Sequence, residues 1–148
     1  MVKIRKGKKE DLPAVFALTQ ELAIYENGLD QVSNSIEKMV EDGFGESPIY
    51  GLVVAESEDT IIGSAIYYYR YSTWKGKRMY LEDLVVTEEK RGLGAGKLLF
   101  DEILRIAKET NCSGMMWQVL DWNEPAINFY KKYETHFDNE WVNCSIDF

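Results

Sequence analysis

Thr87-Glu88-Glu89-Lys90-Arg91-Gly92-Leu93-Gly94-Ala95-Gly96-Lys97-Leu98-Leu99 is the stretch that decides how this chain is read. Before it, Arg78 to Val86 has the apolar and branched character of a strand. After it, Leu98, Leu99, Ile103, Ile106 and Ala107 repeat at three and four, which predicts a helix from about Gly96 to Thr110. A glycine loop between a strand and a helix turns several backbone N–H groups outward together, and the helix dipole adds partial positive charge there. Side chains at 92, 94 and 96 would block a diphosphate, and glycine removes them. Arg91 adds a charge-assisted donor. A merely flexible helix start is the plainer reading, so spacing has to discriminate. Glycines at 92, 94 and 96 do not make the G-x-G-x-x-G of dinucleotide sites. Lys97 is followed by Leu98, with no glycine at 91, so the NTP-binding P-loop fails as well.

Working outward, Val2 to Arg5 alternates as a short strand, and Glu10-Asp11-Leu12-Pro13 opens a helix that runs to about Tyr25 and breaks at Asn27-Gly28. A second helix is predicted over Ser35 to Glu41, closed by Asp42-Gly43. Tyr50 to Ala55, Ile61 to Tyr71 and Arg78 to Val86 read as three strands of an antiparallel meander, with turns at Ser57 to Asp59 and Lys75-Gly76-Lys77. Beyond the loop helix, Ser113 to Val119 is unbroken apolar and predicts a central, doubly buried strand. Asn123-Glu124-Pro125 opens a last helix to about Tyr133, and Trp141 to Phe148 alternates as a final strand. The order β-α-α-β-β-β-α-β-α-β predicts one mixed α/β domain over residues 1–148.

Composition narrows the function classes. The chain has 148 residues, 45% apolar, with 17 Lys plus Arg against 25 Asp plus Glu, a net charge of −8. That field repels nucleic acid and anionic membranes and attracts cations. No run of about 18 apolar residues occurs, and Met1-Val2-Lys3-Ile4-Arg5-Lys6 holds no signal-peptide core. A cytoplasmic location is expected. His136 is the only histidine, and Cys112 and Cys144 lack ligand spacing, so no metal site is expected and both thiols are expected buried and reduced.

The spacing that does fit is Gln/Arg-x-x-Gly-x-Gly/Ala, met by Arg91, Gly94 and Gly96. Here the chain resembles the GNAT superfamily of N-acetyltransferases. Tyr80-Leu81-Glu82-Asp83-Leu84-Val85-Val86, Asp42-Gly43-Phe44-Gly45, Glu21-Leu22-Ala23-Ile24-Tyr25-Glu26 and Trp122-Asn123-Glu124-Pro125-Ala126-Ile127-Asn128-Phe129-Tyr130 look like its diamine (spermidine/spermine) acetyltransferase branch. The resemblance implies a mostly antiparallel central sheet flanked by helices. It implies acetyl-CoA held by Leu84, Val85 and Val86, by Arg91, Gly92, Leu93, Gly94, Ala95, Gly96 and Lys97, and by Asn123, Glu124, Pro125, Ala126 and Tyr130. It further implies an amine site at Tyr25, Glu26, Glu82 and Asp83, a catalytic Glu82, a Tyr130 general acid and a homodimer. Lys131-Lys132-Tyr133-Glu134 lacks the glycine the family often has there.

Acetyl transfer requires a neutral amine, yet a lysine-like amine has a pKa of about 10.4 and arrives charged. Carboxylates bind that cation and, usually through water, take its proton. Neighbours on a strand point to opposite faces, so only one of Glu82 and Asp83 is expected to face a given pocket. Tyr80 and Leu84 make the Glu82 face apolar, where an idle carboxylate is costly. Tyr130 carries a phenol able to protonate a departing thiolate. The expected acceptor is a small, polycationic polyamine or diamine. Thialysine, lysine-like or other amino-acid amines are the alternative, with Lys75, Lys77 or Arg78 to meet an α-carboxylate. A catalytically idle CoA-binding regulatory domain is the third reading.

Overall fold

Tight turns set the sheet. Glu58 and Asp59 both adopt positive φ (51° and 60°), the left-handed pair that matches hairpin twist. They join β2 (Gly51–Ser57) to β3 (Thr60–Ser72). Gly76 at φ 82° closes the next hairpin into β4 (Gly76–Val86). With β1 (Val2–Lys6) and β5 (Met115–Met116) these form one sheet in the order β1-β2-β3-β4-β5. The first three pairings are antiparallel, and β5 runs parallel to β4. The computed structural model describes residues 1–148, in two units, Met1–Gln118 and Val119–Phe148.

Each sheet face takes helices. Leu52, Val54 and Ile66 pack with Leu12 and Val15 of α1 (Leu12–Tyr25) and Met39 of α2 (Ile36–Phe44). The other face receives α3 (Ala95–Glu109), which buries Leu99, Phe100 and Ile103. Burial of each such side chain contributes about 1.5–3 kcal/mol. Gly63 permits that approach, since a Cβ there would lie 2.9 Å from the Val85 carbonyl oxygen and 3.2 Å from Leu99 Cδ1. Arg5 ties β1, β2 and the α1 entrance together through Glu56 (2.9 Å) and Asp11 (2.8 and 3.0 Å). Asp11, at the helix start, makes no side-chain cap and spends its carboxylate on Arg5 and the Lys8 N–H.

Several expectations change, among them the end of the last helix, which stops at Tyr130 rather than near Tyr133. Helix α2 is capped by Ser35 but continues through Asp42-Gly43 to Phe44. Gly43 is there for space: a Cβ would sit 2.2 Å from Tyr50 Cζ, and the Tyr50 hydroxyl donates to the Met39 carbonyl (2.6 Å). The strand expected at Ser113 to Val119 shrinks to Met115–Met116, half-buried at the end of the sheet. Its pairing stops at Met79 and Tyr80 because β4 bulges just beyond, and a bulge bends and twists its strand away. Trp141 to Phe148 forms no strand and is exposed, since alternation makes a strand only where a neighbour accepts the backbone. Cys112 and Cys144 are free thiols, but the first is only half-buried and the second exposed.

In the second unit, α4 (Glu124–Tyr130) starts where the Asn123 side chain accepts the Ala126 N–H at 3.4 Å. No helix of the protein is long and apolar enough to cross a membrane.

Candidate active site

The loop after β4 is shaped for an anion. Gly92 and Gly94 take φ of 89° and 81°, a conformation other residues adopt only at a cost. A Cβ at either would meet nothing within 4 Å, and at Gly96 only Val86 Cγ2 at 3.9 Å, so the hollow above the backbone stays open. Gly94 caps α3 without a side chain, and the first bond within the helix is Leu98 N–H to the Gly94 carbonyl (3.1 Å). The N–H groups of Ala95, Gly96 and Lys97 therefore lack intrahelical acceptors and face outward. This cradle fits the diphosphate of a CoA thioester.

The cradle is braced from α1. Glu21 Oε1 accepts the Thr87 hydroxyl (3.2 Å) and the Glu88 N–H (3.0 Å), fixing the polar connection. Arg91 lies 5.9 Å from the Tyr25 ring centre and donates from Nε to the Val86 carbonyl (3.3 Å). Lys97 is turned along the helix into an ion pair with Asp101 (2.5 Å). Within the first unit, β5 covers β4 only at Met79 and Tyr80 and leaves the edge at Leu84 to Val86 uncovered by strand pairing.

An acidic cavity rests on an irregularity of β4. Ile66 opposes Asp83 and Tyr68 opposes Tyr80, so β4 carries one residue more than β3 across that interval. The extra residue bulges the strand and suspends alternation. Glu82 and Asp83 consequently line the same cavity, of about 340 Å³, with Phe16, Thr19, Asn34, Asp42, Tyr50 and Tyr68. This corrects the expectation that only one of the two carboxylates faces a pocket.

Their environments also differ from the sequence-based reading. Glu82 is exposed, and its Oε1 accepts the Tyr68 hydroxyl at 3.1 Å. Asp83 is the half-buried member: loss of solvent, then the charges of Glu82 and Glu26, push its pKa up to about 6. Burial raises Glu26 as well. Burial and Glu82 hold the Tyr68 phenol up at about 12, so it stays a donor. A carboxyl poised near neutrality beside a second carboxylate can bind an ammonium and accept a proton.

Asn34, Asp42, Tyr68 and Glu21 were not foreseen as site residues. Glu21 and Asp42 fell within the family-like blocks without a role of their own, Tyr68 within an ordinary strand pattern, and Asn34 in a connection with no signal. In the second unit, Asn123 and Tyr130 are buried, and Tyr130 packs edge-on against Phe129 at 5.4 Å.

The chain matches the Acetyltransferase (GNAT) family over residues 16–134. It belongs to the GNAT acetyltransferase family. Members use acetyl-CoA as the acetyl donor, which accounts for a glycine cradle of this kind. Among relatives, a thialysine N-epsilon-acetyltransferase of Bos taurus is 41% identical over 138 residues, covering 88% of this chain and 81% of its own. Spermidine/spermine N(1)-acetyltransferase-like protein 1 of Homo sapiens is 37% identical over 134 residues, covering 86% of this chain but 19% of its own. A solved transcriptional regulator from Bacillus halodurans superposes with a TM-score of 0.80 at 20% identity over the full length of both chains, a likeness of fold. This GNAT protein is thus an N-acetyltransferase, and its β4 bulge opens on an acidic cavity.

Proposed function

We propose that this enzyme acetylates the terminal primary amine of a small lysine-like amino acid of the thialysine kind. Relatedness to thialysine enzymes supports that acceptor, and the observation that carries an amine of any kind is the Glu82–Asp83 pair facing one cavity. A polyamine is the second reading, favoured by a third carboxylate, Asp42, on the same wall and by the spermidine/spermine-like relative.

Acetyl-CoA supplies the acetyl group as a thioester. Glu82 holds the incoming ammonium, and Asp83, titrating near 6, takes its proton directly or through water and passes it to solvent. The freed nitrogen forms the amide bond as the carbon–sulfur bond breaks. A β4 backbone N–H at Leu84 to Val86 stabilises the charging carbonyl oxygen. The Tyr130 phenol gives its proton to the leaving sulfur and recovers one from water. Loop residues Arg91 to Lys97, with Asn123, Glu124, Pro125 and Ala126, hold the donor, while Tyr25 and Glu26 contact the far part of the acceptor. The reading further comprises one catalytic domain, a homodimer and a cytoplasmic location.

Thiol release from acetyl-CoA with thialysine, lysine, spermidine and putrescine tests this. Thialysine should give the highest kcat/KM, and Tyr130→Phe should lower kcat about tenfold or more. Faster turnover of spermidine would transfer the assignment to polyamines. Thiol release with none of the four would remove small amines altogether.

A further inference from the structure

One pairing in the sheet is unfavourable as it stands. Arg70 of β3 and Arg78 of β4 are direct cross-strand partners, and like charges in that position repel. The ion pairs of the protein use Arg5, Lys97 and Arg105, so neither arginine of this pair is neutralised. Both belong to the sheet face that carries Tyr68 and Tyr80.

The pair nevertheless sits in built surroundings. Arg70 lies over the Tyr80 ring, 5.8 Å from its centre, and Tyr80 stacks on Tyr68 at 5.2 Å. Tyr68 in turn donates to Glu82. A row therefore runs along one face from a free guanidinium to the carboxylates at the bulge. Arg78 is half-buried, with its guanidinium laid over Gly114, where a Cβ would lie 2.5 Å from Nη1. The other cations considered from sequence do not reach this face. Lys77 donates to the Thr110 carbonyl (2.8 Å) and covers the Tyr69 ring (4.4 Å). Lys75 sits at the exposed hairpin tip.

We propose that Arg70, backed by Arg78, binds the α-carboxylate of the acceptor while Glu82 and Asp83 hold its far ammonium. A carboxylate at Arg70 offsets the positive charge the two arginines share across the strands and takes a two-pronged bond that lysine cannot match. Spacing agrees: the Arg70 guanidinium sits at the level of Tyr80, two residues from Glu82, roughly 7 Å along the strand. That interval suits a zwitterion with an amine at the end of a lysine-length chain. A polyamine places a positive charge against Arg70 and is disfavoured. The inference rests on the acetyltransferase reading and adds the residues that select the acceptor.

A matched pair of acceptors tests it: thialysine and its decarboxylated analogue, bis(2-aminoethyl) sulfide, which share the reacting amine and differ in the carboxylate. The wild-type enzyme should prefer thialysine in kcat/KM. Arg70→Gln should lower the thialysine-to-analogue ratio by about tenfold or more, the scale of one lost charge-assisted hydrogen bond. Arg78→Gln should lower the ratio less. A wild-type preference for the analogue overturns the carboxylate site while leaving acetyl transfer intact. So does an unchanged ratio in both variants. If the wild-type enzyme turns over neither compound nor spermidine, the acetyltransferase reading falls and the inference with it.

Discussion

The glycine loop at Arg91–Gly96 and the bulge at Glu82–Asp83 lie a few residues apart in the chain, and in the function proposed above they recognise by opposite means. The loop works by what it lacks. Positive φ at Gly92 and Gly94 and open space above them leave bare N–H groups open to an anion. The bulge works by what it adds, bringing two carboxylates into one cavity and stripping solvent from one of them. Backbone suits a donor common to a whole family, whereas side chains suit an acceptor that differs among its members.

The sharpest way to break this contrast is Asp83→Asn. Turnover should fall about 100-fold as the proton acceptor is lost, while the KM for acetyl-CoA holds. In the wild type, kcat/KM for the amine should fall about tenfold per pH unit below about 6, as Asp83 takes up a proton, and this limb should vanish from the variant's residual rate. The same change should stabilise the fold. A carboxyl whose folded pKa is raised loses stability as pH climbs from its unfolded value, about 3.9, to about 6. Asp83→Asn should therefore raise unfolding free energy by about 1–3 kcal/mol at pH 7 and by almost nothing at pH 3. An equal gain at both pH values would mean that burial of charge is not the cause.

Gly94→Val probes the other side. Forcing a branched residue to φ 81° costs about 1–2 kcal/mol or reorients the first-turn N–H groups. The KM for acetyl-CoA should rise about tenfold with little change in the KM for the amine. Equal changes in both would show the two sites to be one unit. The mildest probe is Glu21→Gln, which weakens the brace from α1 to Thr87 and Glu88. A loss of about 0.5–1.5 kcal/mol in denaturant unfolding, with a small rise in the acetyl-CoA KM, is expected. No change in either would mean that the connection is held by its own backbone turn, a 3₁₀ turn over Glu88–Lys90.

Local chemistry made much of this legible in advance. Helix α1 ends at Tyr25, where periodicity runs out and Asn27 turns left-handed (φ 59°), and α3 follows its apolar spacing. The hairpin turns stand where Gly76 and the Glu58–Asp59 pair allow positive φ. Gly43 misled because a glycine that ends a helix and one that makes room for a ring look alike in sequence, and only the position of Tyr50 tells them apart. Met115–Met116 and Trp141 to Phe148 misled for a different reason. Strand pairing is non-local, so apolar character alone does not say which neighbour, if any, accepts the backbone.

The anion cradle belongs to the sequence itself, because its parts are consecutive and its conformation is set by which residues lack a Cβ. The acidic cavity belongs to the tertiary structure. Glu82 and Asp83 share a face only because β3 and β4 differ by one residue between two pairings, a mismatch between strands that neither strand shows alone. Asp83 rises to about 6 because the surrounding elements remove its water. Backbone geometry is local; register and desolvation are not.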